Sequence, residues 1–412
     1  MGMLMSNVPK LRFGEFDQKW TKVLVSEIST KLKVGFVGTC ESSYTTRSEG
    51  IFLIRTGNLV SGKVTYKNPK YVTHDFHLRN EKSQVFAGDI LIARHGSNGQ
   101  ACIYTSSEEA NCLNIVILRN DRNITDSIFL LNQINSPLVH RQILARTAGS
   151  TQGVINTREI AGLSVSIPSL SEQQKIASFL TAVDTKIEQL SQKEALLKQY
   201  KKGVMQKIFS QEIRFKADDG SEFPEWSERR LSDVLHEHKS KSTGSEEVFS
   251  VSVHKGLVNQ VEHLGRSFAA SDTSNYNVVK PNDIVYTKSP TGDFPYGIIK
   301  QSRVDTDVLV SPLYGVFTPE SVGLGYMLHV YFESVINTHN YLHSIIQKGA
   351  KNTINITNTT FTSKSLKLPI SRDEQNKIGK LLSTLDAKID QNGQQLEAAK
   401  TFKKGLLQQM FV

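Results

Sequence analysis

The strongest constraint on the fold is an internal repeat with an offset of 202 residues. The segment from Glu172 to Ser210 aligns without a gap to the segment from Glu374 to Val412, and 16 of the 39 aligned positions are identical. This offset is far longer than the periods of roughly 20 to 50 residues that are typical of solenoids. The repeat therefore predicts two tandem copies of one large unit.

The repeat extends beyond this segment with lower similarity. Leu11-Arg12-Phe13 precedes Trp20 much as Ile213-Arg214-Phe215 precedes Trp226, and these are the only two tryptophans in the chain. We therefore predict four segments, namely a first module at 1–171, a first long helix at 172–210, a second module at 211–373 and a second long helix at 374–412.

The sequence of each module is typical of a mixed fold. Short β-type runs separated by Gly, Asn and Ser predict strands at 90–93, 101–104 and 114–118. Apolar periodicity predicts helices over 128–145 and 326–347. The predicted fold class is α+β, with two tandem-repeated mixed α/β domains that are each followed by a long helix.

The long helices carry apolar residues at the alternating spacing of three and four that is typical of a coiled coil. The positions predicted to pair the helices are Ile176, Leu180, Val183, Ile187, Ile378, Leu382, Leu385 and Ile389. Polar residues interrupt this seam at Glu194, Lys201, Asn392 and Lys403 and could fix its register. We expect the helices to pair with each other, antiparallel if the modules lie at opposite ends. The same pattern is also typical of a simple dimerisation or packing element.

Composition restricts the class of protein. The chain has 412 residues, a formal net charge of +9 and 38% hydrophobic residues, which is typical of a soluble protein with two domains. Its apolar runs all fall short of the ~20 residues that a membrane-spanning helix needs. The three cysteines form no C-x-x-C pair, so we expect neither a disulfide framework nor a zinc knuckle and expect a reducing cytoplasm.

The net charge is unevenly distributed between the modules. Residues 1–171 contain 19 basic and 13 acidic residues, whereas residues 211–373 contain 17 basic and 19 acidic residues. Attraction to phosphates is therefore a reasonable expectation for the first module and a weak one for the second.

Two motifs resemble catalytic sequences without matching them. The segment from Gly57 to Val64 has the spacing of a phosphate-binding loop but places Val64 where a hydroxyl should hold Mg²⁺, and we predict a glycine-containing hairpin instead. Asp293-Phe294-Pro295-Tyr296 differs by one residue from the D-P-P-Y of amino-methyltransferases. The eleven histidines are scattered, and no H-E-x-x-H occurs. We therefore expect no catalytic or metal site.

Loops rich in hydrogen-bonding side chains form the predicted DNA surface. Arg and Lys can bind guanine edges, Asn and Gln can bind adenine, and Ser or Thr can bind phosphate. The candidates in the first module are Arg55, Thr56, Asn58, Arg94, Ser97, Asn98, Arg146, Ser150, Thr151 and Gln152. Those in the second module are Lys288, Ser289, Thr291, Lys348, Lys351 and Asn352. Turns are built from the same residue types, so each single residue also has a purely structural explanation.

These features together resemble a known family. Each long helix begins with E-Q-x-K-I shortly after a proline and ends with K-K-G-[VL]-[ML]-Q-x-[IM]-F. Two variable modules with these helices resemble the specificity subunit of type I DNA restriction–modification systems, over nearly the whole chain. The second module departs from the pattern by having Asn282 where the first has Gly88.

The resemblance implies two target-recognition domains that each bind one half of a split, asymmetric site, with the helices as a spacer. It implies a chain that is not an enzyme and holds no cofactor. The partners would be double-stranded DNA, two modification (methyltransferase) subunits that use S-adenosylmethionine, and restriction (motor-nuclease) subunits that use ATP and Mg²⁺. No membrane is expected as a partner. The alternatives are a self-contained modification enzyme with a degenerate cofactor site and a tandem-domain DNA-binding regulator.

Overall fold

The computed structural model describes residues 8–95, 99–147, 154–264, 272–348 and 354–412. The chain forms two compact units. Unit 1 comprises Met1–Ser191 and Gln394–Val412, and unit 2 comprises Gln192–Gly393. Each unit contains one module and part of both long helices.

Most of the helices are short, and two are long. They are α1 (His74–Arg79), α2 (Ser127–Ile134), α3 (Pro137–Thr147), α4 (Thr157–Ala161), α5 (Leu170–Phe209), α6 (Leu231–Val234), α7 (Gln260–Leu264), α8 (Val322–Phe332), α9 (Val335–Leu342), α10 (Asn358–Thr362) and α11 (Arg372–Gln409). The two long helices, α5 and α11, have 40 and 38 residues.

The strands of unit 1 are β1 (Thr21–Leu24), β2 (Ser29–Val34), β3 (Tyr44–Thr45), β4 (Gly50–Ile54), β5 (Leu59–Val60), β6 (Lys63–Val64), β7 (Lys70–Thr73), β8 (Gln84–Val85), β9 (Ile90–Ala93), β10 (Ala101–Ile103), β11 (Ala110–Cys112), β12 (Ile115–Asn120) and β13 (Ser164–Ile167). Those of unit 2 are β14 (Ser227–Arg230), β15 (Leu235–Glu237), β16 (Phe249–Ser252), β17 (Gly256–Asn259), β18 (Asn277–Val279), β19 (Ile284–Tyr286), β20 (Ile299–Gln301), β21 (Val308–Val310), β22 (Gly315–Pro319), β23 (Gln347–Lys348), β24 (Ile354–Asn355) and β25 (Ser365–Leu368).

Unit 1 is built on a six-stranded sheet in the order β2-β12-β9-β10-β6-β5 and a five-stranded sheet in the order β3-β7-β4-β11-β8. Successive side chains of a strand point to opposite faces of its sheet. In β9, Ile90 and Ile92 therefore lie in one apolar cluster with α2, whereas Leu91 and Ala93 lie in a second cluster with β4. Because the sheet is covered by apolar residues on both faces, its central strands are continuous apolar runs.

Unit 2 repeats this arrangement on a smaller scale. Its largest sheet has the order β15-β22-β19-β20. In β19, Ile284 and Tyr286 lie in a cluster with α8, and Val285 lies in a second cluster on the other face. The repeat in sequence is thus also a repeat of strand placement.

A two-stranded sheet in each unit precedes the long helix. β1 pairs antiparallel with β13, with Thr21 opposite Ile167, and β14 pairs antiparallel with β25, with Ser227 opposite Leu368. Because β13 and β25 lead directly into α5 and α11, this pairing sets the position at which each long helix begins.

Two helix predictions were wrong in extent. The helix predicted at 128–145 is two helices, because α2 ends before Pro137, which begins α3 and cannot donate a backbone hydrogen bond. The helix predicted at 326–347 is also two, since the Ser334 hydroxyl accepts from Asn337 N at 3.3 Å and starts α9. This second pair ends at Leu342, and Gln347 belongs to a strand.

The predicted strands are confirmed, with small shifts of their ends. The run at 90–93 is β9, the run at 101–104 is β10, and the run at 114–118 is β12. The hairpin predicted in place of a phosphate-binding loop is also confirmed, since β5 and β6 pair antiparallel with Leu59 opposite Val64. Within the described part of the chain, no helix has both the length and the apolar content to cross a membrane.

Candidate nucleic-acid interface

Each long helix begins at a buried junction built by the Glu-Gln pair of the repeat. In unit 1 the Glu172 side chain, 1% exposed, accepts hydrogen bonds from Nε and Nη2 of Arg12, both at 2.7 Å. Trp20 Nε1 donates to the same carboxylate at 3.2 Å. Gln173 Oε1 accepts from the backbone N–H of Asp126, the residue that caps α2, at 3.0 Å. The Glu thus holds α5 against the N-terminal segment, and the Gln holds it against α2.

Unit 2 contains an equivalent junction, although the described residues give Trp226 Nε1 no hydrogen-bond partner there. Glu374, with a fully buried side chain, accepts from Nε and Nη2 of Arg214 at 2.9 and 3.3 Å. Gln375 Oε1 accepts from the hydroxyl of Ser321, the cap of α8, at 2.6 Å. The hydrogen bond to the carboxylate raises the pKa of Arg12 in one unit and of Arg214 in the other. A buried carboxylate requires such a partner, so the E-Q motif of the repeat has a structural role.

Two ion pairs occupy predicted interruptions of the heptad seam. In unit 1, Lys403 Nζ lies 2.6 Å from Asp184, and in unit 2, Lys201 Nζ lies 2.7 Å from Asp386. The offset of 202 residues relates Asp184 to Asp386 and Lys201 to Lys403. Each long helix therefore provides the acid of one pair and the base of the other.

The predicted pairing positions differ in burial. The unit 1 cluster contains Ile176 and Leu180 together with Leu406 of α11 and Met410, which directly follows that helix. The unit 2 cluster contains Ile378, Leu382 and Leu385 together with Val204 and Ile208 from α5. The other predicted positions, Val183, Ile187 and Ile389, are half-buried. Five of the eight predicted pairing positions are therefore buried, and Leu190 and Leu396, near the middle of the helices, are buried as well.

A charged cluster surrounds the unit 2 ion pair. Glu333 lies 2.8 Å from Lys201, 2.9 Å from Lys300 and 3.3 Å from His329. Burial alone would raise the pKa of Glu333, but the hydrogen bond from His329 and the charges of the two lysines outweigh it and lower the pKa. Burial also lowers the pKa of His329. When helices α2 and α8 are aligned by their caps, unit 1 has Ile134 at the position of His329.

Two of the predicted DNA-binding residues of module 1 hold their own loop together. Asn58, 1% exposed, donates to the carbonyl oxygens of Thr65 at 3.0 Å and Lys67 at 2.9 Å. Its Oδ1 accepts from Arg55 N at 3.0 Å, and Arg55 Nη2 donates to Asn68 O at 2.6 Å. Base contacts by Asn58 would require these bonds to break, so the structure gives this side chain a scaffolding role.

Arg94 connects three segments of module 1 through its side chain. Its Nε donates to Ile155 O at 3.0 Å, its Nη1 to Asn114 Oδ1 at 2.5 Å and its Nη2 to Asn156 Oδ1 at 2.9 Å. The backbone N–H of Leu113 in turn bonds the carbonyl of Ile54, directly before Arg55. The structure therefore brings the starts of the 55–58 and 94–100 loops to one edge of the sheets, together with Ile155 and Asn156. The guanidinium of Arg94 orders this edge.

The other described candidates are more accessible. Arg146 is exposed and donates from Nη2 to Gly162 O at 2.6 Å, and Thr56 is half-buried. In module 2, Ser289 and Thr291 are exposed, and burial lowers the pKa of Lys288. These residues are on a loop that Thr291 and Phe294 close with two backbone hydrogen bonds of 3.0 and 2.9 Å.

Some predictions cannot be placed. Lys348 lies in β23, and nothing further is described of its side chain. The remaining candidates, Ser97, Asn98, Ser150, Thr151, Gln152, Lys351 and Asn352, lie outside the described residues. The proposal that these loops contact DNA stays a prediction.

Sequence reasoning missed a surface beside the 55–58 loop. Tyr66, 46% exposed, stacks on Phe52 with ring centroids 4.6 Å apart, and Lys67 and Lys70 are exposed. The sequence did contain a signal for this surface, namely a run of positive charge. Residues 50–74 contain four Lys or Arg residues and no acidic residue.

The segments that resembled catalytic motifs form ordinary loops. Asp293-Phe294-Pro295-Tyr296 lies in the loop closed by Thr291, and the buried Phe294 side chain anchors it. Among the residues described, no group of three or more His, Cys, Asp or Glu side chains is arranged to hold a metal ion.

Comparison with known proteins assigns the family. The model of the type I restriction modification DNA specificity domain matches residues 39–199 and 224–401. The chain therefore belongs to this family, whose members are the non-catalytic specificity components of type I systems, and the resemblance of the repeat motifs is confirmed.

Individual relatives agree with this assignment. The chain is 23% identical over 300 residues to a candidate type I restriction enzyme MjaX specificity subunit from Methanocaldococcus jannaschii, covering 69% of this chain and 66% of that protein. It is 25% identical over 163 residues to the type I restriction enzyme MjaVIII specificity subunit of the same organism, covering 38% of each. The fold is similar to the crystal structure of a type I S subunit from M. genitalium, with a TM-score of 0.62, 15% identity and coverage of 98% and 99%.

Proposed function

We propose that this chain recognises a bipartite, asymmetric site on double-stranded DNA, with module 1–171 bound to one half and module 211–373 to the other. The observation that carries the proposal is the duplicated junction, in which Arg12 and Glu172 correspond to Arg214 and Glu374. Two modules attached to long helices in the same way imply two targets of the same kind. The candidate loops differ between the modules, which implies that the two half-sites differ in sequence.

We further propose that α5 and α11 pair as an antiparallel coiled coil that acts as a spacer. The reciprocal pairs of Asp184 with Lys403 and of Lys201 with Asp386 support this arrangement, because parallel helices would not bring these residues together in this order. A helix of 38 residues is roughly 57 Å long at about 1.5 Å per residue. This exceeds the ~34 Å of one turn of DNA, so such a spacer could hold two modules over well-separated half-sites.

Catalysis is assigned to partner subunits. Two modification subunits with S-adenosylmethionine would methylate adenine at the recognised site, and restriction subunits with ATP and Mg²⁺ would cleave DNA. The family assignment supports this division, since the family comprises DNA specificity domains. In this scheme the chain contributes site selection, and no cofactor is bound to it.

The decisive experiment is to co-express the chain with a cognate modification subunit and to map methylated adenines across a genome. We expect methylation within a split, asymmetric motif with an unrecognised gap. A contiguous palindrome, or the absence of methylation, would contradict the proposal. Methyl transfer by the purified chain alone would instead favour a self-contained enzyme.

Two variants test the separate roles of the modules and of the long helices. Exchange of residues 1–170 for the first module of another specificity subunit should change one half-site and leave the other unchanged. Insertion of one heptad in each long helix should lengthen the unrecognised gap. A gap of unchanged length would refute the spacer role of the helices.

A further inference from the structure

The segment that follows the Arg55–Asn58 loop is fixed in position by the side chains of Arg55 and Asn58. The two amide hydrogens of Asn58 bind the carbonyls of Thr65 and Lys67, and Arg55 binds the carbonyl of Asn68. These three hydrogen bonds fix the backbone on both sides of Tyr66 without using the side chains of Tyr66 and Lys67. A loop with so many internal bonds is preorganised, which lowers the entropy cost of any contact it makes.

The aromatic ring in this segment is oriented as well as exposed. Tyr66 stacks on Phe52 at a centroid distance of 4.6 Å and an interplanar angle of 26°. One ring face is therefore covered by Phe52, and the residue is 46% exposed, which leaves the other face available for contact.

Two exposed lysines follow this ring in the sequence. Lys67 and Lys70 are exposed, and among the residues that the structure describes neither takes part in an ion pair. Lys70 Nζ lies 5.3 Å from the centroid of the Tyr44 ring, and Lys63, on the hairpin, pairs with Glu188 of α5 at 2.6 Å. No acidic residue occurs between Gly50 and His74, so the sequence supplies no local carboxylate to neutralise the pair.

We propose that Lys67 and Lys70 bind neighbouring phosphates of duplex DNA and that the exposed face of Tyr66 packs against the sugar between them. Three extended residues span at most about 10 Å, and one strand carries a phosphate every ~3.4 Å of helix axis, so two lysines at this spacing reach nearby phosphates of one strand. Arg55 and Asn58 are positioning residues for this contact. The inference rests on the proposed DNA-recognition function and identifies where module 1 binds the DNA backbone.

The test uses the full chain co-purified with its modification subunit and a random-sequence duplex, measured by fluorescence anisotropy over a range of salt concentrations. Lys67→Gln combined with Lys70→Gln should weaken binding about tenfold and reduce the slope of log K against log salt by about 1.8. Tyr66→Ala should weaken binding without changing the slope, because its contact is not ionic, and Tyr66→Phe should bind like the wild type.

A matched control is available in the same module. Lys19 and Lys22 are both exposed and have the same spacing, so Lys19→Gln with Lys22→Gln removes the same charge from another place and should leave the salt slope nearly unchanged. Thermal unfolding of all variants checks that the fold is retained. Equal slopes for the two double variants would overturn the proposal. It would also be overturned if the Lys67/Lys70 variant lost the modification subunit but kept its DNA affinity, because that result would indicate a protein-docking surface. Failure of the wild-type complex to bind any duplex would instead refute the proposed function.

Discussion

The junction between module 1 and α5 can be tested by a double-mutant cycle on Arg12 and Glu172. The variants are Arg12→Met, Glu172→Gln and the combination of both. Glu172 is 1% exposed at its side chain and Arg12 is 10% exposed, so either single change leaves one group of a nearly buried pair without its partner. Breaking a buried pair in this way typically costs about 3 to 5 kcal/mol. The double variant buries no isolated charge, so it should cost far less than the sum of the single changes.

The two tryptophans provide the assay. Trp20 donates to Glu172 and is 1% exposed, and Trp226 lies in the equivalent strand region of unit 2 at 5% exposure. In a Trp226→Phe background, the fluorescence of Trp20 reports on this junction alone. With a urea m-value of roughly 3 kcal/mol/M for a domain of this size, a loss of about 3 kcal/mol moves the midpoint by about 1 M.

Additive single effects would refute the reasoning, because independent residues show no coupling energy. The matched experiment uses Arg214→Met and Glu374→Gln with Trp226 as the reporter. Since Glu374 is also fully buried and Arg214 is 18% exposed, we expect coupling of the same sign and a somewhat smaller size.

Four further variants test other parts of the structure. Gly323→Ala should destabilise unit 2 by about 1 to 3 kcal/mol in urea unfolding, because its Cβ would collide with the Gln375 backbone, whereas Gly203→Ala has open space and should stabilise its helix by up to ~1 kcal/mol. The pKa of Glu333 is lowered in the folded state, so its stabilisation is complete above its unfolded pKa near ~4.3 and is lost as the pH falls below it. Glu333→Gln should therefore lose less stability than the wild type on acidification below about pH 4.3, and parallel pH profiles would contradict this. Asn58→Asp removes two donated bonds, so it should cost about 2 kcal/mol or more, and an unchanged melting temperature would contradict the scaffolding role.

The sequence was most informative where the physical signal is repeated or periodic. The 202-residue repeat predicted both long helices, and the apolar run at 90–93 predicted a central strand. The sequence also contained a signal for the break between α2 and α3, because Pro137 cannot continue a helix. The prediction missed this break because the apolar pattern persists on both sides of the proline.

The roles of the candidate site residues could not be predicted in the same way. Arg94 and Asn58 have the side chains that bind bases, but their polar atoms bind carbonyls and amides of the chain itself, and every residue carries a carbonyl. Which carbonyl lies within reach depends on tertiary folding. Lys201 and Glu333 illustrate this most clearly, since 132 residues separate two groups that lie 2.8 Å apart.

Each module is joined to a long helix by the same type of junction, but we expect the two modules to bind DNA by different kinds of contact. Module 1 has an excess of basic residues, of which Lys67 and Lys70 are exposed, whereas module 2 has an excess of acidic residues and offers the neutral hydroxyls of Ser289 and Thr291. Binding by phosphate neutralisation weakens steeply with salt, whereas neutral hydrogen bonds depend on it far less. Raising the salt concentration should therefore reduce the contribution of the module 1 half-site before that of module 2. Substitutions in the module 2 half-site should keep their full effect on affinity under the same conditions.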